Sequence, residues 1–173
     1  GRLNINKEKD QITGTAIIIG EVKTEIIKFH AVRLDVKDIT VDDNSADYDY
    51  RDDEVVIKSL TPGQHSIKVE YAAQIKADME GAYLSTYEFE GNTEKMVVTQ
   101  FESHYARECF PCVDEPAAKA TFSLKLTSIE EDTILSNMPA EFTTAQEGHK
   151  TVEFKETPRM STYLLAFVAG KFC

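Results

Sequence analysis

Apolar and polar residues alternate one for one in stretch after stretch of this chain. A period of two is the mark of a strand with one face in a core and the other in water. Ala120-Thr121-Phe122-Ser123-Leu124-Lys125-Leu126 holds the pattern longest, and Ile67-Lys68-Val69-Glu70-Tyr71 and Val152-Glu153-Phe154 repeat it. Further β-rich runs cover residues 12–22, 25–36, 39–41, 54–60 and 83–89. Residues 161–168 are apolar on both alternating faces, with Tyr163, Leu165 and Phe167 against Leu164, Ala166 and Val168. That pattern, with its aromatic content, is expected of a central strand covered on both sides.

Turn chemistry separates these runs. Thr61-Pro62-Gly63-Gln64 has Pro and Gly where a type II turn wants them. Asp42-Asp43-Asn44-Ser45 and Gln146-Glu147-Gly148-His149 are two more turn candidates. The acidic tract over residues 42–53 is expected to be a solvated connection, since the ligand spacing of a calcium loop is missing. No long amphipathic helix is present. Residues 103–110 are expected to form one short helix with Ser103 as its N-cap. The expected fold class is all-β: a saddle-shaped β-sandwich of two or more mixed or antiparallel sheets.

At 173 residues, 42% of them apolar and 28% charged, the chain has the composition of one globular domain with its own core. A net charge of −11 disfavours nucleic acid, whose phosphates need clustered Lys and Arg, and disfavours an anionic membrane surface. No stretch approaches the ~18 apolar residues that span a bilayer. The opening Gly1-Arg2-Leu3-Asn4-Ile5 reads as neither a signal peptide nor a natural initiator. Three cysteines, Cys109, Cys112 and Cys173, are too few and too odd in number for a disulfide framework, so a reducing, cytoplasmic setting is expected.

Chemistry-bearing motifs are sparse. A hydrolytic zinc helix needs His-Glu-x-x-His, and none of His30, His65, His104 or His149 has that spacing. Each lone histidine reads as a surface or turn residue, and no metal ligand is assigned. Cys109-Phe110-Pro111-Cys112 has the spacing of a redox pair or half a zinc ribbon. The second pair and the βαβ context that those readings require are both missing, which leaves two packed, reduced thiols. In Phe110-Pro111-Cys112-Val113-Asp114-Glu115-Pro116, two prolines bracket two acids at a bend. Asp114 or Glu115 there is expected to bond backbone N–H groups or to pair with Arg107. Thr99-Gln100-Phe101-Glu102 ends a strand that includes Met96-Val97-Val98. On an extended chain Gln100 and Glu102 share a face, roughly 6–7 Å apart. A carboxylate beside an amide can receive an ammonium group; the competing reading is two side chains that merely face water.

Taken together, these residues resemble the N-terminal domain of the aminopeptidase N family, the gluzincin aminopeptidases, in its bacterial cytosolic form. The resemblance runs through Thr99-Gln100-Phe101-Glu102, Ala106-Arg107, Phe110-Pro111-Cys112, Asp114-Glu115-Pro116 and Lys119-Ala120-Thr121-Phe122. It continues through Leu135-Ser136-Asn137-Met138-Pro139 and Thr157-Pro158-Arg159-Met160-Ser161-Thr162-Tyr163-Leu164-Leu165-Ala166-Phe167. The first 90 or so residues match more loosely, by strand pattern and by an opening strand, Leu3-Asn4-Ile5-Asn6. Cys109 stands where that family more usually has a plain apolar residue.

The resemblance implies a single N-terminal β-domain over residues 1–173 that caps one side of a thermolysin-like catalytic domain following residue 173. It implies a zinc-dependent aminopeptidase acting on peptide N-termini, in which Gln100 and Glu102 line the pocket for the first residue and Glu102 holds the α-amino group. The family's zinc motif, its Gly-x-Met-Glu-Asn motif and its catalytic Tyr are not in this sequence. Zinc is therefore expected in the parent enzyme and not in this piece, which is expected to be inactive alone. Two other readings remain open: a non-catalytic scaffold of the same architecture used for protein interaction, and a free-standing β-sandwich binding module.

Overall fold

The alternation read from the sequence becomes alternating burial. In a computed structural model that describes residues 1–172, Leu3 and Ile5 are buried while Arg2, Asn4 and Asn6 are exposed, and Ile67, Val69 and Tyr71 are buried around exposed Lys68. A one-residue slip would turn each of these sets out of the core, so the register is fixed by burial. The strands are β1 (Arg2–Asn6), β2 (Gln11–Val22), β3 (Ile27–His30), β4 (Asp35–Val41) and β5 (Asn44–Ser45). They continue as β6 (Tyr48–Arg51), β7 (Glu54–Ile57), β8 (Gly63–Gln74), β9 (Gly81–Phe89) and β10 (Asn92–Gln100). Last come β11 (Lys125–Ile129), β12 (Thr133–Ser136), β13 (Ala140–Gln146), β14 (His149–Phe154) and β15 (Phe167–Gly170).

The fold is all-β, in three sheets. An eight-stranded sheet has the order β13-β14-β11-β1-β2-β8-β4-β5, a four-stranded sheet the order β12-β15-β10-β9, and a three-stranded sheet the order β3-β7-β6. Among the described residues every pairing of two named strands is antiparallel except β1 with β11, which makes the large sheet mixed. One apolar cluster joins all three sheets. It takes Leu3, Ile12 and Val69 from the first, Val97, Ile134 and Phe167 from the second, and Phe29, Val55 and Ile57 from the third. A buried ion pair spans the first two sheets. Lys7, in the β1–β2 turn, donates at 2.6 Å to Asp132, in the turn before β12, and at 3.2 Å to the Lys95 carbonyl on β10.

Several expectations are corrected. The acidic tract over 42–53 is not a loop: it contains β5, β6 and two tight hairpin turns. Asp42 and Asp43 (φ 49° and 67°) and Asp52 and Asp53 (φ 53° and 64°) make those turns. Aspartate tolerates the left-handed region better than most side chains, so the acids mark turn corners. The strand expected over 120–126 starts only at Lys125. Before it, Ala120 pairs singly with Met160, and Phe122 exchanges bonds with Thr157. The central strand expected over 161–168 is a 3-10 turn, Thr162–Leu164, followed by β15. Asn137 enforces the break by donating to the Leu164 carbonyl and accepting from the Ala166 N–H, both at 2.8 Å. The short helix near 103–110 shrinks to a 3-10 turn over Ala106–Glu108, capped by Tyr105 and not by Ser103, whose hydroxyl meets His104 instead.

Candidate functional site

Strand β10 delivers the Thr99-Gln100-Phe101-Glu102 segment. Its last rung pairs Gln100 with Gly81 of β9, and Thr99 locks its other edge by accepting the Phe167 N–H at 3.0 Å. Phe101 is only 1% exposed, with its ring edge-to-face against Phe110 at 5.7 Å and Phe167 at 6.3 Å. Gln100 and Glu102, on either side of it, are both exposed. The buried aromatic therefore anchors a segment whose two flanking polar side chains remain free of the core. The Glu102–Ser103 peptide bond is cis. Tyr105 closes the turn by donating its N–H to the Phe101 carbonyl at 3.0 Å.

The bend that follows is held by charge. Asp114, 3% exposed, accepts the Arg107 Nε–H at 3.1 Å and the Arg107 backbone N–H at 3.2 Å, while the Arg107 guanidinium also donates to the Asp114 carbonyl at 2.8 Å. His30 at the end of β3 accepts the Asp114 N–H on Nδ1 at 3.1 Å, and its backbone exchanges two hydrogen bonds with Cys112. An Nδ1 acting as acceptor leaves the ring proton on Nε2. His30, expected to be a surface or turn residue, is thus a strand-end residue engaged in the bend. Glu115 is exposed, and its carbonyl accepts the Ala118 N–H at 3.0 Å.

Of the remaining histidines only His104 belongs to this segment. His65 sits between Asp42 and the Thr61 carbonyl, His149 lies at the β13–β14 hairpin, and His104 stacks on Tyr105 at 4.8 Å. Among the described residues no three His, Cys, Asp or Glu side chains come together as metal ligands. Cys109 and Cys112 are free and buried; burial pushes the Cys109 thiol up to about 12 and the Cys112 thiol well above its ordinary value. Neither is a thiolate at neutral pH, and neither reaches solvent to act as a nucleophile. Cys173 lies outside the described residues.

Two hollows, of about 630 and 380 Å³, open on the surface. The larger lies over the outer face of the eight-stranded sheet and the smaller between β4–β5 and β6–β7, and neither borders Gln100 or Glu102. Both side chains are exposed to solvent. Sequence reasoning missed the charges beside them: Glu108 joins Lys76 and Arg33, residues far apart in the chain with no spacing signal to link them.

Comparison with known proteins identifies the family of the chain. Residues 2–164 match the family model described as the peptidase M1 N-terminal domain. The chain is 39% identical to an aminopeptidase N of Lactobacillus helveticus and 41% identical to one of Lactococcus lactis subsp. lactis, in each case over 98% of its length and 20% of the relative's. Over 71% of its length it is 43% identical to the aminopeptidase M1-B of rice, Oryza sativa subsp. japonica, covering 14% of that protein. The chain thus spans about one fifth of the bacterial relatives it matches.

Proposed function

The chain belongs to the peptidase M1 N-terminal domain family, and on that premise we propose that it is the substrate-recognition and capping domain of a longer zinc aminopeptidase that releases N-terminal residues from peptides. In this reading residues 1–173 form one N-terminal domain, and a thermolysin-like catalytic domain completes the cleft beside the β10 terminus. Glu102 pairs its carboxylate with the substrate's α-ammonium, and Gln100 orients that group through its amide oxygen. The observation that carries the reading is the exposure of Gln100 and Glu102 on either side of the anchored Phe101.

The described residues do not fit a zinc site, so no chemical step is assigned to a metal held by this chain. The domain contributes binding and orientation, and the reaction belongs to the rest of the protein. Its setting is proposed as cytoplasmic, with support from the two free, buried cysteines. No helix among the described residues is long and apolar enough to cross a membrane.

A charge-assisted hydrogen bond to a desolvated ammonium is worth enough that Glu102→Ala in the full-length protein should lower kcat/KM for free-amino peptides by about ten-fold or more. An unchanged kcat/KM would remove Glu102 from the site.

A further inference from the structure

The turn that carries Glu102 makes few contacts of its own. Glu102, Ser103 and His104 are all exposed, and the Ser103 hydroxyl reaches only the neighbouring His104 ring. Something outside the turn has to hold it still, because a carboxylate that binds one ammonium in one place must be preorganised. The Phe101 ring fixes one end. At the other end, the 3-10 turn begins with the Glu108 N–H donating to the Tyr105 carbonyl at 3.1 Å.

Glu108 is where the surrounding contacts meet. Its carboxylate, 12% exposed, receives Lys76 Nζ on one oxygen at 2.5 Å and the Arg33 guanidinium on the other at 3.0 Å. Lys76 is no loose surface lysine. Its N–H donates to the Ala82 carbonyl at 2.8 Å and its carbonyl accepts the Leu84 N–H at 3.0 Å, which sets it beside β9, the strand that flanks Gln100. Its ammonium passes 5.9 Å from the centre of the Tyr105 ring. Between them Gly81, at φ +71°, turns the chain into β9 directly opposite Gln100, with the Glu108 carboxylate and the Lys76 stem 3.6 and 3.7 Å from the point a Cβ would occupy. The contacts form a closed circuit: Gln100 to Gly81, β9 to Lys76, Lys76 to Glu108, Glu108 to Tyr105, and Tyr105 back to Phe101.

We propose that Glu108, held by Lys76 and Arg33, is a positioning residue that fixes the turn from which Glu102 presents its carboxylate to the substrate's ammonium group. The inference rests on the recognition reading of Glu102. It adds that the geometry of that recognition depends on an ion pair which never touches the substrate. Glu108→Ala frees Lys76 to follow Asp78 and Glu80, 3.2 and 3.9 Å away, and opens the circuit.

The test is a double-mutant cycle in the full-length protein, with short free-amino peptides as substrate and thermal unfolding recorded alongside. Glu108→Ala should raise KM about ten-fold with kcat changed less than about three-fold, while in a Glu102→Ala background it should add less than about two-fold, because nothing remains to be positioned. Glu108→Gln, which keeps the shape and one acceptor oxygen, should recover part of the loss. Lys76→Met, which keeps the stem and removes the ammonium, should give the same KM-only change and stands in if Glu108→Ala fails to fold. An equal KM penalty with and without Glu102 would make the effect merely structural and overturn the proposal. So would an unchanged KM in the Glu108 and Lys76 variants of a protein in which Glu102→Ala raises it. If Glu102→Ala itself leaves kcat/KM unchanged, the recognition reading falls and this inference falls with it.

Discussion

Removing the Asp132 carboxylate should cost the domain a large share of its stability. Asp132 is fully buried, and it accepts both the Ser128 hydroxyl at 2.5 Å and the Lys7 ammonium at 2.6 Å. The Lys7 side chain is itself only 10% exposed. In Asp132→Ala the ammonium keeps one carbonyl, that of Lys95, and the Ser128 hydroxyl loses its acceptor. Breaking a buried pair by removing one partner costs about 3–5 kcal/mol, because the surviving charge is stranded. Set against a total stability of about 5–15 kcal/mol, that is enough to threaten the fold at physiological temperature. For a domain of this size it corresponds to a fall in Tm of roughly 10 °C. Combining Asp132→Ala with Lys7→Met removes the stranded charge and should restore about 1–3 kcal/mol relative to Asp132→Ala alone. Urea unfolding of the four proteins in the cycle measures both quantities. A loss under about 1 kcal/mol in Asp132→Ala, or a double variant no more stable than that single one, would refute the argument that a buried charge ties the two sheets.

Two further outcomes follow from the ionisable groups. The Thr61 carbonyl, then the Asp42 carboxylate, raise the pKa of His65 above its ordinary 6.5, while the Ser66 N–H, then His65, lower that of Asp42 below 3.8. The His65 contribution is complete below pH 6.5 and is lost as pH rises through its raised value; the Asp42 contribution is complete above pH 3.8 and is lost as pH falls through its lowered value. The contact is therefore fullest between those two pH values, and an NMR titration placing the His65 midpoint at or below 6.5 would contradict it. Cys109 and Cys112 should resist iodoacetamide at pH 8 in the native chain and react once it is unfolded, as read by mass spectrometry of the separate peptides. Labelling of either at the unfolded rate would show that the core around them opens.

What the sequence revealed follows from the range of the interactions. Strands β8 and β14 were legible because their alternation is local, and β2 and β9 because their residue content is β-rich. The hairpin at Asp42-Asp43 was marked by its turn residues, whereas the one at Asp52-Asp53 is just as local and yet is read as solvated chain until backbone angles show the turn. Residues 161–168 misled for the opposite reason. Their apolar pattern is real, but the break at Leu165 depends on Asn137, almost 30 positions earlier. The same contrast holds around the candidate site. Exposure of Gln100 and Glu102 about a buried Phe101 is what simple alternation anticipates. The Glu108 cluster draws on residues 32 and 75 positions away, and no window along the chain could have gathered them.

The single parallel pairing in the large sheet bears on how the chain reaches its native state during synthesis. β1 lies between β2 and β11, so the strands on its two sides, β11-β14-β13 and β2-β8-β4-β5, communicate through it alone. Arg2 pairs with Lys125, and at ribosomal speeds of about 5–20 residues per second the partner of the first strand emerges some 6–25 s after it. Through that interval β1 shows an open hydrogen-bonding edge beside β2, a template for any other extended chain nearby. The nascent domain is most prone to mispair before β11 arrives, and least so after.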